Sequence, residues 1–210
     1  MKSRNASQRG ISLVVVLVAL LIMALAAAAM LRSTDTATLI AGNLGFKKTA
    51  QSSGDAGTEA AIKWFNGFAS NADLWADAPA NGYWASIQDG CDLTGQRTPN
   101  NPADDVTWDV DGSVAAACPM KAVSAGSTGV AEGYTVTYVI NRVCNTPGNP
   151  EISTVACSQQ GRGDRGDSTR GIPGAGETPL SGASQIYFRI TTRISGPRDT
   201  VRFIQAFVVF

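Results

Sequence analysis

The sequence contains no histidine, and only 16% of its 210 residues are charged. The missing imidazole excludes histidine-based catalytic triads, histidine-ligated metal sites and imidazole proton shuttles. Positive charge is not in excess either, because 17 basic residues balance 17 acidic ones. This balance argues against a nucleic-acid-binding protein held by bulk charge, so we expect no nucleic-acid partner.

The motifs of common enzyme classes are missing as well. The sequence has no GxSxG nucleophile motif, no P-loop and no HExxH zinc motif. Carboxylates are numerous, but no pattern brings a pair of them together. We therefore predict that the protein is not an enzyme, and we expect no cofactor and no catalytic metal.

A 21-residue apolar run from Ile11 to Leu31 is the strongest feature that is present, with Ser12 as its only polar side chain. As an α-helix it would be about 31 Å long, which matches the hydrocarbon core of a bilayer. The ten residues before it carry basic side chains and no acidic one. The positive-inside rule therefore predicts a cytoplasmic N-terminus (1–10), a membrane helix (11–31) and a translocated remainder.

Three kinds of N-terminal segment share this pattern. A cleaved secretory signal has a shorter apolar region of about 7–15 residues and a small-residue cleavage site, for which Ala27 to Ala29 is a candidate. A plain anchor is not cleaved. The third kind is a short basic leader that ends in Gly10 directly before Ile11. It resembles the class III signal of type IV pilins, which a prepilin peptidase cuts at the cytoplasmic side of the membrane.

Further segments along the chain extend the resemblance: Arg9–Val14, Leu31–Thr34, Ile40–Leu44, Thr58–Ile62, Ile186–Arg193 and Thr200–Phe210. In this order and spacing they resemble PilX-type minor pilins of the type IV pilus assembly system, over about residues 8–65 and 134–210. The resemblance implies cleavage between Gly10 and Ile11 and N-methylation of Ile11.

The same resemblance implies a fold and a role. The fold is α+β and type IV pilin-like: a long N-terminal helix, half in the membrane and half in the head, packs on a small antiparallel sheet. The role is initiation, assembly or tip capping of a type IV pilus, with other minor and major pilins and the prepilin peptidase as partners. The protein would first lie in the inner membrane with its head in the periplasm and later in the extracellular pilus. A type II secretion pseudopilin is a close alternative.

Val15 departs from the pilin pattern. Most pilins carry a glutamate at the fifth residue of the mature chain, where it is thought to pair with the amino terminus of a neighbour. An unpaired carboxylate in hydrocarbon costs several kcal/mol, and a tip subunit has no neighbour above it to pair with. One hypothesis is that Val15 marks a priming or tip subunit, and the other is that it is an ordinary anchor residue.

Beyond the anchor, helical spacing of apolar residues continues the helix over 32–68, with an end near Asn66. Four glycines (Gly42, Gly45, Gly54 and Gly57) predict bends or breaks in it. An aromatic stripe of Trp64, Phe65 and Phe68 is expected to dock on a sheet. The head domain (69–210) has alternating strands at 133–143 and 185–194, and after a turn at 195–199 residues 200–210 return as the partner strand. Its irregular middle, 71–129, has one predicted short strand at 106–110.

All four cysteines follow the anchor, and an even number in a translocated domain indicates two disulfides with three connectivities. We favour sequential pairing. Cys144 and Cys157 would close a 14-residue loop, worth roughly 3 kcal/mol in the chain-entropy model. Cys91 and Cys118 would link the irregular middle.

A loop between the last cysteine and the final hairpin holds two RGD tripeptides, which are integrin-recognised motifs: Arg162-Gly163-Asp164 and Arg165-Gly166-Asp167. They suggest a second class of function, a membrane-anchored adhesin or receptor, although the Gly/Arg/Asp-rich composition of this loop also explains the repeat. Calcium sites are an alternative use of two aspartate sets, neither with EF-hand spacing. These sets are Asp164 with Asp167, and Asp104, Asp105, Asp109 and Asp111.

Overall fold

The computed structural model describes residues 11–68, 71–159 and 185–209. Its contacts divide the chain into a helical unit, Met1–Phe46, and a sheet unit, Lys47–Phe210. The described part of the helical unit is helix alone, and all the strands of the described residues lie in the sheet unit. The predicted boundary at residue 31 concerns placement in a membrane, and the one at residue 68 divides the helix from the rest of the head; both stay predictions.

Helix α1 runs from Ile11 to Phe65, and the chain turns at Asn66 and Gly67, where the sequence predicted its end. The predicted breaks at the glycines are wrong, because helical structure continues through all four of them, while the alternative of bends stays a prediction. In the sheet unit the glycines serve close packing instead. A Cβ atom on Gly54 would overlap Ile204 and approach Ile194 Cδ1 to 2.8 Å.

The sheet has five strands: β1 (Tyr83–Trp84), β2 (Val123–Ser124), β3 (Thr135–Arg142), β4 (Tyr187–Gly196) and β5 (Thr200–Val209). The order is β1-β3-β4-β5, and β2 also pairs with β3. The three long strands are the predicted ones. The all-antiparallel prediction is wrong, because β1 runs parallel to β3, with Tyr83 opposite Ile140. The predicted strand at 106–110 is also wrong, since Thr107 makes only an isolated bridge to Lys121.

One face of the sheet packs on the C-terminal part of α1. Phe65 is buried there, with its ring 4.9 Å from that of Phe188. The ring of Trp64 lies 4.6 Å from that of Phe68 and 5.1 Å from that of Tyr83. The predicted docking of the aromatic stripe on the sheet is therefore confirmed for its buried member, Phe65.

The opposite face of the sheet is covered by the irregular middle of the chain. Val139 of β3 belongs to a buried cluster with Trp84, Val106 and Met120. The same cluster contains the Cys91–Cys118 disulfide. The other disulfide joins Cys144 to Cys157, so the pairing is the sequential one that the sequence favoured. The middle segment thus adds two short strands, β1 and β2, to the sheet, and the rest of it forms an irregular layer that the Cys91–Cys118 disulfide cross-links.

Candidate functional site

The apolar helix of the helical unit is the most unusual surface of the described chain. Every residue from 12 to 45 is exposed, including Leu21 at 60% and Leu39 at 68%. The helix is long and apolar enough to cross a membrane by length and composition. Burying a leucine, valine or isoleucine side chain gains roughly 1.5–3 kcal/mol, and so large an apolar surface marks a site of interaction with a membrane or with protein.

Three threonine hydroxyls after the apolar run are hydrogen-bonded inside the helix. The hydroxyls of Thr34 and Thr38 donate to the carbonyl oxygens of Leu31 and Asp35, each at 2.8 Å. Thr36 donates to the carbonyl oxygen of Arg32 at 2.9 Å. Because each hydroxyl has an acceptor within its own helix, these residues can enter an apolar environment at lower cost than unbonded hydroxyls.

The predicted cleavage and methylation site lies at the limit of the described residues. Gly10 is outside them, and Ile11 is the first residue of α1. Val15 lies in the first turns of the helix and is 60% exposed. Cleavage between Gly10 and Ile11, the methylation of Ile11 and the tip role of Val15 therefore stay predictions.

The two RGD tripeptides, residues 162–167, also lie outside the described residues, and so do Asp164 and Asp167 as calcium ligands. In the other aspartate set, Asp104 and Asp109 have local bonds, whereas Asp105 Oδ1 is buried without a hydrogen-bond partner among the described residues. Asp104 accepts hydrogen bonds from the Thr98 hydroxyl at 2.8 and 2.9 Å, and Asp109 accepts one from the Asp111 backbone at 3.1 Å. Within residues 11–68, 71–159 and 185–209, no group of three or more acidic or cysteine side chains is arranged to hold a metal ion.

Asp92, which no sequence pattern singled out, organises the loop after Cys91. Its carboxylate accepts four backbone N–H bonds, from residues 94, 95, 97 and 98, at 2.6–3.0 Å. Burial on its own would raise the pKa of Asp92, but the four donors outweigh burial and hold that pKa below its ordinary value. A local Asx-type pattern around Asp92 could have suggested the turn, but the extent of the network depends on the folded loop.

Arg142 was also missed, because its position in an alternating strand gives no sign of complete burial. It is 1% exposed, and its Nε donates to the carbonyl oxygen of Ala85 at 3.0 Å. Its Nη2 donates to the carbonyl oxygen of Gly148 at 2.8 Å. Burial lowers the pKa of Arg142, and Tyr83 and Asp77 partly oppose this effect. The side chain ties the segments after β1 and β3 together, which is a structural role.

Compared with known protein families, curated proteins and solved structures, the chain shows no match. Its class therefore comes from its own structure. The chain is an α+β protein whose N-terminal helix is long and apolar enough for a membrane span, with a small mixed sheet and two disulfides outside its strands.

Proposed function

We propose that the protein is a minor pilin that acts in initiation, assembly or tip capping of a type IV pilus. The observation that carries this proposal is the exposed apolar helix, which begins directly after a basic leader ending in Gly10. Cleavage in front of the helix, at Ile11, keeps that helix on the mature protein. A subunit that must leave the bilayer and enter a fibre needs such a helix, whereas a secreted protein does not.

The helix suits two successive environments. Before assembly, its apolar side chains would lie in the inner membrane, with residues 1–10 in the cytoplasm and the sheet unit in the periplasm. In the pilus, the same side chains would contact the helices of other minor and major pilins. Small residues favour close approach of helices where no hydrophobic driving force operates between them. In this helix the small residues are Ala19, Ala24 and Ala26 to Ala29.

Val15 supports a place at the tip within this proposal. A glutamate at this position of a subunit without an upper neighbour would be an unpaired carboxylate, which costs several kcal/mol in an apolar environment. The Val15→Glu variant is therefore expected to be poorly incorporated into pili, while Val15→Ala, which adds no charge, is incorporated normally. Equal incorporation of both variants would contradict the tip assignment.

The test of the proposed function is a deletion of the gene with complementation. We expect the deletion to reduce surface pili strongly and the wild-type chain to restore them. The protein is also expected in sheared filaments at low stoichiometry. Normal piliation without the protein, together with its absence from sheared filaments, would contradict the proposal. Loss of secretion with normal piliation would instead indicate a pseudopilin.

The adhesin alternative has its own test in the same strains. Removal of residues 159–176 deletes both RGD tripeptides and leaves the anchor and all four cysteines in place. If piliation survives and adhesion falls, the loop binds a surface ligand. If piliation and adhesion both stay unchanged, the loop has no part in either activity.

A further inference from the structure

Arg189 has an unused hydrogen-bond donor inside the sheet unit. It lies on β4, between Asn141 of β3 and Phe207 of β5, on the face opposite to the one that packs on α1. Its Nε is buried and has no hydrogen-bond partner among the described residues. Its Nη2 reaches only Asn141 Oδ1, at a long 3.5 Å. Buried polar groups are normally bonded, so this guanidinium needs an explanation.

The side chain of Arg189 lines a cavity of about 230 Å³, together with Gln88, Asp89, Arg97 and Gln205 among others. Two of these lining residues are bonded to each other, because Arg97 Nη1 donates to the carbonyl oxygen of Asp89 at 3.0 Å. Gln88 has a left-handed backbone with φ of 56°. Such backbone strain in a non-glycine residue is concentrated at binding sites.

The size of the cavity limits what it can hold. Pockets for drug-sized ligands and cofactors usually measure about 300–1,000 Å³. A space of about 230 Å³ is below that range and fits one small functional group with its stem. The group must also complement two arginines, for which a planar carboxylate is the best geometric match because it accepts paired N–H donors.

Two acidic residues, Asp89 and Asp92, also line the cavity, but neither accepts a hydrogen bond from Arg189 among the described contacts. Asp92 directs its oxygens to the four backbone N–H groups described above. Asp89 is exposed, and no hydrogen bond joins it to Arg189 among the described contacts. Burial lowers the pKa of Arg189, and the charge of Asp89 only partly opposes this effect. The positive charge of Arg189 therefore lacks a directly bonded counter-ion within the described chain.

We propose that this cavity, formed around Arg189, Arg97 and Gln205, binds a carboxylate group presented either by an acidic side chain of a neighbouring protein subunit or by a small free carboxylate. The binding of a carboxylate in this cavity does not depend on the proposed function. That a neighbouring subunit supplies the carboxylate does rest on the proposed function. Phe207, which is 61% exposed beside Arg189 on the edge strand, would give a peptide ligand an apolar contact.

The first experiment titrates succinate into the full-length protein in detergent micelles and follows the arginine Nε–Hε signals by ¹⁵N NMR. We expect a saturable shift of the Arg189 signal, with a dissociation constant of about 1–10 mM for one small charged group. The Arg189→Lys variant assigns the signal by its loss, and sodium chloride at equal ionic strength is the control. A shift that does not saturate, or that chloride reproduces, overturns the proposal.

The second experiment distinguishes the two sources of the carboxylate. It compares the Arg189→Gln variant with Arg202→Gln, which removes an exposed arginine of the same sheet outside the cavity. Both variants are first checked for wild-type tryptophan fluorescence and melting temperature. If only Arg189→Gln enters sheared filaments several-fold less than wild type, the carboxylate comes from a neighbouring subunit. If both variants enter normally while the succinate shift is present in wild type, the ligand is a free carboxylate.

The failure of the proposed function would look different. If the wild-type protein never enters filaments, the pilus assignment is wrong, but the succinate titration still decides whether the cavity binds a carboxylate. If wild type enters filaments and succinate does not shift Arg189, the cavity proposal is wrong and the pilus assignment is unaffected.

Discussion

Truncation of Arg142 to alanine is expected to destabilise the sheet unit by about 3–5 kcal/mol. The side chain is 1% exposed and bonds two carbonyl oxygens, those of Ala85 and Gly148. Its loss leaves both acceptors without this donor and opens a cavity. Removal of the buried charge is stabilising in itself, but it neither fills the cavity nor replaces the two hydrogen bonds.

Urea unfolding of the full-length protein in detergent, followed by tryptophan fluorescence, measures this loss. The signal is specific because Trp64, Trp75, Trp84 and Trp108 all lie in the sheet unit. Arg142→Met keeps most of the side-chain volume and should lose less stability than Arg142→Ala. Arg202→Ala removes an exposed arginine and should stay within about 0.5 kcal/mol of wild type. A loss below about 1 kcal/mol for Arg142→Ala would contradict the structural role of Arg142.

Replacement of Gly57 by alanine is expected to cost about 1–3 kcal/mol, although alanine is the better helix former by about 1 kcal/mol. The added Cβ would overlap Thr192 and lie 2.9 Å from Val136 Cγ1. Threonine and valine are β-branched and stiff at χ1, so neither side chain moves aside easily. The steric cost therefore exceeds the gain in helix propensity.

Gly42→Ala is the matched control for this prediction. Gly42 lies in the same helix, and a Cβ built on it meets nothing within 4 Å. The substitution should leave the stability of the sheet unit unchanged and raise only the intrinsic helix propensity of the helical unit. If Gly57→Ala and Gly42→Ala change the free energy of unfolding equally, α1 does not pack closely on the sheet at Gly57.

The elements that the sequence predicted well are those whose pattern is local. The alternation of apolar and polar residues over Gly133–Val143 predicts β3, and the same pattern over 185–194 predicts β4. The turn at 195–199 predicts β5 as the strand that returns beside β4. Strands β1 and β2 contain two residues each, too few for any periodicity. Their pairing with β3 depends on chain that is distant in sequence, so the parallel register of β1 could not be predicted.

The glycines show why a local rule can mislead. Helix propensity counts each glycine as a weakness, and the sequence therefore predicted breaks. In the folded sheet unit, Gly54 and Gly57 lie where the helix meets the sheet, and the missing side chains allow close contact. Packing outweighs propensity there, because the sheet residues opposite them are fixed only in the tertiary structure.

The two candidate sites differ in the same way, because one has a local sequence pattern and the other does not. The apolar helix could be recognised from its sequence, because membrane-like composition is a property of consecutive residues. The Arg189 cavity could not be recognised, since Arg189 alternates with Phe188 and Ile190 and so looks like part of a solvated polar face. The irregular middle covers part of that face through Asp89 and Arg97, and no local pattern in residues 71–129 indicates this.

The mass of the amino-terminal peptide of the mature protein tests the central claim most directly. Cleavage in front of the apolar helix predicts a peptide that begins with N-methylated Ile11 and lacks residues 1–10. Protein isolated from the membrane and protein isolated from sheared filaments should both show this terminus. An intact Met1, or a terminus near Ala29 that removes the helix, would contradict the assignment to the pilus.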